Sequence, residues 1–265
     1  KINKSQTANV YGILEGSDER LKDQYVIYSA HHDHLGVGEP DASGDKIYNG
    51  AMDNASGVAQ LLAMGKAFRA LQTPPKRSIM LLFVAAEEQG LLGSKYYAEH
   101  PTIEPKKIVA NINYDGGNIW GKAKDIIFIG KGKSTIDEYV EQIAKLQDRH
   151  VVPDQFPDRG FFYRSDQFSF AKIGVPALYL DTGTDFVGKP PEWGKQQHEE
   201  YESKRYHQPG DEIEDTWNFD GMLEDATLGF YVGVIVANSK DMPTWTPGDE
   251  FEAARKEALA AKTTN

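Results

Sequence analysis

The sequence contains no cysteine. This excludes a disulfide framework, a catalytic thiolate and a zinc site built from thiolates, and it leaves the cellular compartment open. No stretch is long and apolar enough to cross a bilayer, and no signal peptide opens the chain, so membrane insertion is not expected. Basic residues are outnumbered, since 29 lysines and arginines face 40 acids and give a formal net charge of -11. Nucleic acids and anionic membrane surfaces are therefore not expected as partners.

The composition suits one large hydrophobic core, because 40% of the 265 residues are hydrophobic. An early pair of strands is predicted at 10–14 and 25–30, separated by a polar turn. Further along, apolar strand-like segments alternate with segments whose apolar residues recur at helical spacing. This alternation predicts a wound α/β sheet.

The most informative stretch is an apolar run, residues 78–86, that ends in the adjacent carboxylates Glu87 and Glu88. Its length and its closure by Gly90 are typical of a strand buried on both faces. Ligands of open α/β sheets bind at the carboxyl ends of the strands, so both acids are expected where chemistry occurs. Adjacent carboxylates repel each other unless a cation lies beside them. Taken alone, the dipeptide fits a solvated turn equally well.

Histidine and carboxylate side chains recur at other element ends. His31 and Asp33 end the second early strand, and an imidazole two residues from a carboxylate can be oriented by it. Asp53 precedes a helix predicted from residue 56, where it fits a cap as well as a ligand. Asp115 ends a strand predicted at 108–114, where it also fits a turn. His207 precedes a turn of its own.

The remaining elements follow from the same patterns. Helices are predicted at 91–100, 134–146 and 219–238, with a final charged helix at 250–262. Strands are predicted at 126–130 and 174–181. Residues 186–206 are expected to form a long connection of the kind that serves as a lid or mobile segment.

These side chains share one chemistry. Imidazole nitrogen and carboxylate oxygen are the donors that zinc accepts when thiolate is missing. Two ions that share a carboxylate can hold an attacking water and polarise a carbonyl. The candidate segments are 31–33 (HHD), 50–57 (GAMDNASG), 85–90 (AAEEQG), 113–115 (NYD) and 206–209 (YHQP). Together, and in this order, they resemble the co-catalytic di-zinc exopeptidases, which include secreted bacterial leucyl aminopeptidases, glutamate carboxypeptidase and glutaminyl cyclases. The resemblance covers residues 9–239.

The resemblance implies a set of metal ligands. Asp53 would be the carboxylate shared by two Zn²⁺ ions per chain, and its peptide bond to Asn54 would be cis. The ligands that complete one site would be Glu88 and His207, and those that complete the other would be His31 and Asp115. Mn²⁺ or Co²⁺ could replace zinc, because oxygen-rich sites tolerate them.

Three more roles are implied. Asp33 resembles the group that fixes the imidazole of His31. Glu87 resembles the general base, which must accept and return a proton and so cannot be tied to a cation. Tyr206 is the first candidate for a donor to the tetrahedral oxyanion, and Tyr163 is the second.

The expected architecture is a three-layer α/β/α sandwich with a central mixed, mostly parallel sheet and helices on both faces. Residues 1–8 would be a linker remnant, 9–240 the di-zinc peptidase catalytic domain, and 241–265 a linker with the charged helix. We expect a trimmed catalytic domain of a secreted or periplasmic enzyme that hydrolyses N-terminal residues from peptides. The oligomeric state stays open.

Other functions fit the same motifs. An aminopeptidase needs a carboxylate for the α-amino group, and Asp166 is one candidate. A carboxypeptidase or dipeptidase needs cations for the terminal carboxylate, for which Arg159, Arg164 and Arg205 are available. A glutaminyl cyclase would hold one zinc ion. A receptor-like binding domain, from a different class, would have lost ligands that this sequence keeps.

Overall fold

A computed structural model of the chain describes residues 5–261. Residues 1–4 of the predicted linker and 262–265 of the predicted C-terminal segment lie outside the described residues. The strands are β1 (Val10–Leu14), β2 (Tyr25–His31), β3 (Gly36–Val37), β4 (Ile47–Tyr48), β5 (Ser78–Val84), β6 (Ile108–Asn113), β7 (Asp125–Ile129), β8 (His150–Pro153) and β9 (Ala177–Thr182). The helices are α1 (Ser56–Ala70), α2 (Leu92–Glu99), α3 (Ile136–Leu146), α4 (Gln167–Lys172), α5 (Trp193–Lys204), α6 (Asp220–Asn238) and α7 (Glu252–Ala260).

Seven strands form one mixed sheet in the order β1-β5-β2-β6-β9-β7-β8. The central strands β5, β2, β6 and β9 are parallel, whereas β1 and β7 run antiparallel to their neighbours β5 and β9. Buried side chains of α1, α3 and α6 pack on one face, and those of α2 and α4 pack on the other. The predicted three-layer sandwich with a mostly parallel sheet is therefore confirmed. Within residues 5–261, no helix is long and apolar enough to cross a membrane.

The parallel register gathers the strand ends that carry candidate ligands. Ser29 of β2 lies level with Leu82 of β5 and Asn113 of β6, so these three strands end at the same edge. His31 is the last residue of β2. Glu87 and Asp115 follow the ends of β5 and β6 by three and two residues, respectively. The sheet therefore delivers the candidate residues to one place.

Two predictions of local structure are wrong. The early strands do not pair with each other, because β1 pairs with β5 and β2 lies on the other side of β5. The connection 186–206 is not structureless, since it contains the helix α5. That helix buries only Gly194 and Tyr201, so its sequence lacks the apolar stripe that marks a helix.

The segment after α6 packs on the sheet. Trp245 is buried, and its indole Nε1 donates a hydrogen bond to the Gly174 carbonyl at 2.9 Å. Arg255 of α7 is buried and donates to the Ile108 carbonyl at 2.9 Å. These contacts attach residues predicted as a linker and a charged helix to the catalytic core. The domain boundaries stay a prediction.

Candidate metal centre

The first half of the candidate centre is built around His31, which is 1% exposed. Its Nε2 lies 3.1 Å from Asp53 Oδ1 and 3.1 Å from Asp115 Oδ1. One donor atom from each of these three residues lies within 4.8 Å of the others. An imidazole and two carboxylates thus meet at one point at the end of the sheet.

The second half lies on the other oxygen of Asp53. His207 Nε2 is 3.3 Å from Asp53 Oδ2 and 3.0 Å from Glu88 Oε2. The two oxygens of Asp53 therefore face two different imidazoles, each accompanied by a further carboxylate. This is the arrangement expected of a carboxylate shared between two cations.

A second imidazole reaches Glu88. His34 Nδ1 lies 2.7 Å from Glu88 Oε1, and both side chains are nearly buried. His34 was not predicted as a site residue, although it stands in the same segment as His31. Donor atoms of His34, Asp53 and Glu88 also lie within 4.8 Å of one another, so His34 adjoins the same half of the centre as His207.

The turn that carries Asp53 is fixed by the side chain of its neighbour. The peptide bond from Asp53 to Asn54 is cis, as the resemblance implies. Asn54 Oδ1 accepts hydrogen bonds from the amides of Gly57 at 3.0 Å and Gly116 at 2.9 Å, and its Nδ2 donates to the Tyr114 carbonyl at 2.9 Å. One buried amide thus ties the turn of Asp53 to the turn of Asp115.

Asp211, which was not predicted, supports the same turn from the opposite side. Its carboxylate is fully buried and accepts hydrogen bonds from the amides of Met52 and Asp53 at 3.0 Å and from the Tyr201 hydroxyl at 3.3 Å. Its position four residues after His207 was the one signal in the sequence, but an acid directly after Pro209 and Gly210 fits an ordinary turn equally well. Asp211 therefore helps to position Asp53 by binding main-chain amides, and it contributes no donor atom to the cluster.

We expect Asp211→Ala to lower the free energy of unfolding by about 1–3 kcal/mol, because two buried amides lose their acceptor. Urea denaturation followed by circular dichroism measures this change. The control is Glu212→Ala, which alters an exposed acid next in the chain. Equal stability of the two variants would contradict this role for Asp211.

The predicted role of Asp33 needs a correction. The imidazole of His31 is held through Nδ1 by the main-chain carbonyl of Asp33 at 3.0 Å, not by its carboxylate. The carboxylate instead accepts a hydrogen bond from the Ala86 amide at 2.5 Å. Ala86 has a positive φ of 55° and directly precedes Glu87. Asp33 thus fixes both His31 and the turn that presents Glu87 and Glu88.

Glu87 differs from the other acids of the cluster. It lines the adjoining cavity, yet its carboxylate makes no hydrogen bond or ion pair within residues 5–261. Burial and the nearby charge of Asp115 raise the pKa of Glu87 to about 9. An oxygen of Glu87 lies within 4.8 Å of donor atoms of His31 and Glu88. Glu87 is nevertheless the one acid of the cluster that forms no ion pair with an imidazole within the described residues.

The electrostatics of the cluster suit a cation. Burial alone would favour a neutral His31, but Asp115 and Asp53 raise its pKa well above the ordinary value. Asp53 and Glu88 raise the pKa of His207 to about 10. Burial opposes ionisation of Asp53, but the two imidazoles hold its pKa below the usual range. Positive charge is therefore strongly favoured at this point.

The donor geometry also fits a metal ion. Glu88 Oε1 and His207 Nε2 are buried and have no hydrogen-bond partner within the described residues, despite their short contacts. In this half of the centre, buried donor atoms that converge without a hydrogen-bond partner fit a cation held between them. The nitrogen and oxygen donors match those of zinc sites that lack thiolate.

A cavity of about 810 Å³ opens beside the cluster. Tyr206 lines it and stacks on His207, with ring centroids 3.8 Å apart. Tyr163 also lines it, but its hydroxyl donates to Glu250 at 2.7 Å. Of the two predicted oxyanion donors, Tyr206 is the one whose hydroxyl is free of other partners within residues 5–261.

Comparison with known proteins decides the family. A model described as peptidase family M28 matches residues 9–229. The chain belongs to peptidase family M28. The resemblance noted from its motifs is therefore confirmed.

Two relatives are similar to this chain over most of its length. A probable leucine aminopeptidase 2 of Aspergillus oryzae is 26% identical over 255 residues, which cover 89% of this chain and 46% of the relative. Aminopeptidase YwaD of Bacillus subtilis is 28% identical over 213 residues, which cover 78% of this chain and 40% of the relative. The chain thus spans less than half the length of these two relatives.

Solved structures share the fold. BSAP, a zinc aminopeptidase from Bacillus subtilis, aligns with a TM-score of 0.62 and 24% identity over 88% of this chain and 50% of that chain. The LapA aminopeptidase of Legionella pneumophila aligns with a TM-score of 0.63 and 18% identity over 89% of this chain and 61% of that chain. At these identities the likeness supports the fold alone.

In this M28 chain, the five predicted ligands and Glu87 come together, but other candidates do not. Asp166 is fully buried and does not line the cavity, so the prediction that it holds a substrate amino group is wrong. Arg205 also lies outside that cavity and pairs with Glu214 at 2.7 Å. Arg159 and Arg164 line the cavity and are exposed.

Proposed function

We propose that the chain carries the catalytic machinery of a zinc aminopeptidase. The observation that carries the proposal is the position of Asp53, whose two oxygens face His31 and His207. The relatives named as aminopeptidases, one of them a zinc aminopeptidase, support the reaction class. An exopeptidase function also agrees with the fact that Glu87, Asp53, Asp115 and His207 all line the same cavity.

The proposed ligands form two sets that share Asp53. His31 and Asp115 would hold one zinc ion, and Glu88 and His207 would hold the other. When bound, the ions would act as Lewis acids that polarise the scissile carbonyl and make water more acidic. His34, Asp33 and Asp211 would keep the ligands in place, and residues that orient ligands commonly affect metal affinity 10- to 100-fold, as an order of magnitude.

Glu87 is the proposed general base. Its carboxylate would accept a proton from the attacking water and then donate that proton to the leaving amine. Glu87 lines the cavity and forms no ion pair with an imidazole within the described residues, so its carboxylate is free to take up and return that proton. The Tyr206 hydroxyl would donate a hydrogen bond to the oxyanion that forms at the attacked carbonyl.

The surroundings favour an N-terminal substrate group over a C-terminal one. Asp115 and Glu88 would be neutralised by the bound zinc ions, but Glu87 is not a proposed ligand and leaves a carboxylate in the cavity that can attract an α-ammonium group. The two arginines of the cavity, Arg159 and Arg164, are exposed, and Arg159 lies 3.8 Å from Glu202. We therefore prefer the aminopeptidase to a carboxypeptidase or dipeptidase, and retention of every predicted ligand disfavours a receptor-like domain.

Paired substrates test the proposal. The zinc-loaded chain should release p-nitroaniline from an aminoacyl-p-nitroanilide with a free α-amino group but not from its N-acetylated form, and chelation should abolish the release. Re-addition of zinc should restore it. Faster hydrolysis of an N-blocked dipeptide with a free carboxyl end would contradict the proposal. The secreted or periplasmic location and the absence of a nucleic-acid partner stay predictions.

A further inference from the structure

The cavity contains one acid that the proposed mechanism does not use. Asp181 stands in β9, next to the strand that leads to Asp115. Leu178 and Leu180 of β9 pack in the core under α1, α3 and α6. Because side chains alternate along a strand, Tyr179 and Asp181 project from the opposite face, and both line the cavity.

Asp181 lies at the inner end of the cavity. It also lines a second, smaller space whose other walls include the buried residues Tyr114, Leu180 and Asp225. The hydroxyl of Tyr179 lies 3.5 Å from the Asp115 carbonyl oxygen, so this face of β9 adjoins the cluster. Asp181 stands two residues after Tyr179, so the Cα atoms of these two residues are roughly 6.6 Å apart at the usual rise of a strand.

The carboxylate of Asp181 has almost no protein partner. Its one hydrogen bond within residues 5–261 comes from the adjacent Thr182 amide to Oδ1 at 2.7 Å. In the same part of the chain, no lysine, arginine or histidine nitrogen forms an ion pair with it. The buried acid Asp225, in contrast, pairs with Arg149 at 2.7 Å. Burial raises the pKa of Asp181, as expected for a carboxylate without a cation.

His198 lowers the pKa of Asp181 against the effect of burial, yet its ring is held by other residues. Its ring lies against Trp120, with centroids 4.8 Å apart, and its Nε2 lies 3.4 Å from the Gly183 carbonyl oxygen. The two arginines of the cavity are exposed. The described residues therefore leave the inner end of the cavity acidic and without a bound cation of their own.

We propose that Asp181 makes the enzyme select peptides whose N-terminal residue is lysine or arginine. The inference rests on the proposed aminopeptidase function and names its substrate class. A basic side chain in the cavity would supply the missing cation, whereas leucine would leave a desolvated carboxylate beside methyl groups. A site built for a polar group strongly rejects an analogue that lacks it, because the buried partner is then unpaired.

Lysine and norleucine p-nitroanilides provide the sharpest test, since the two side chains differ mainly by the terminal ammonium. We expect kcat/KM for the lysine substrate to exceed that for norleucine by about 30-fold or more. Asp181→Asn should bring the ratio close to one, chiefly by slowing the lysine substrate. The control Asp185→Asn alters an acid of the following loop that pairs with Lys124 outside the cavity, and it should leave the ratio unchanged.

Each other outcome overturns a specific statement. A lysine-to-norleucine ratio that Asp181→Asn does not change removes Asp181 from specificity but leaves the aminopeptidase function standing. An equal loss of kcat/KM for both substrates would mean that Asp181 binds the α-ammonium group or stabilises the fold. This result also overturns the inference. If neither anilide is hydrolysed, the proposed function fails. The inference is then judged by calorimetric binding of free L-lysine against L-norleucine to the zinc-loaded chain, where equal affinities overturn it.

Discussion

Replacing Glu87 by glutamine is expected to lower kcat by about 10²- to 10⁴-fold, the range that a general base usually contributes. The amide keeps the size of the side chain but cannot accept the proton of the attacking water. Within the described residues Glu87 forms no ion pair with the imidazoles of the cluster and is not a proposed ligand, so the variant should bind zinc as the unaltered chain does. Steady-state kinetics on lysyl-p-nitroanilide, with zinc measured by elemental analysis, would check both expectations.

Glu88→Gln is the matched comparison. It alters the adjacent acid, which contacts His34 at 2.7 Å and His207 at 3.0 Å, and it should reduce zinc content together with activity. The two variants therefore separate a base from a ligand. A Glu87→Gln enzyme that keeps more than about one tenth of the original kcat lies outside the range of a general base and would refute the assignment.

Asp53→Ala should have the second large effect, because one side chain serves both halves of the centre. Its removal takes a carboxylate oxygen from beside His31 and another from beside His207. We expect zinc affinity to fall by at least about 100-fold, the upper range found for groups that only orient a ligand. Isothermal titration calorimetry, in which zinc is added to the metal-free protein, measures this affinity directly and does not depend on activity.

The control for Asp53→Ala is Asp41→Ala, which removes an exposed acid from the loop before the turn of Asp53. This variant should bind zinc as the unaltered chain does. Circular dichroism would establish that both variants are folded. If Asp53→Ala bound two zinc ions with unchanged affinity, Asp53 could not be the shared carboxylate.

Much of the candidate site could be predicted because parallel strands end at one edge of a sheet. The apolar run before Glu87 and the strand before Asp115 identified two of those ends from sequence, and the apolar spacing from Ser56 placed Asp53 before a helix. The observed strands β5 and β6 and helix α1 agree with these predictions. Periodicity thus placed Asp53, Glu87 and Asp115 at the ends of elements, whereas the ligand roles of Asp53 and Asp115 were implied by the resemblance to the di-zinc exopeptidases.

The supporting residues could not be predicted, because their contacts join distant turns. Asp211 binds main-chain amides that lie 158 and 159 residues earlier in the sequence. Asp33 was expected to act through its carboxylate on His31, whereas its main-chain carbonyl makes that contact. Nothing in the sequence distinguished His34 from a histidine on the protein surface. Backbone contacts of this kind leave no periodic pattern in the sequence.

The pairing of the edge strands was also hidden. The burial of β1 does not alternate, since four of its five residues are exposed, so nothing in its sequence indicated which strand it joins. Strand β8 was missed for a related reason: it is a four-residue edge strand with a proline at its end. Helix α5 is polar on most of its surface, and the long connection that contains it was therefore assigned no regular structure.

The presence of two ions on either side of Asp53 is the central claim, and anomalous diffraction at the zinc edge from crystals of the zinc-loaded chain tests it most directly. We expect two peaks, one beside His31 and Asp115 and the other beside Glu88 and His207, with the carboxylate of Asp53 between them. A single peak, or peaks away from these side chains, would contradict the account.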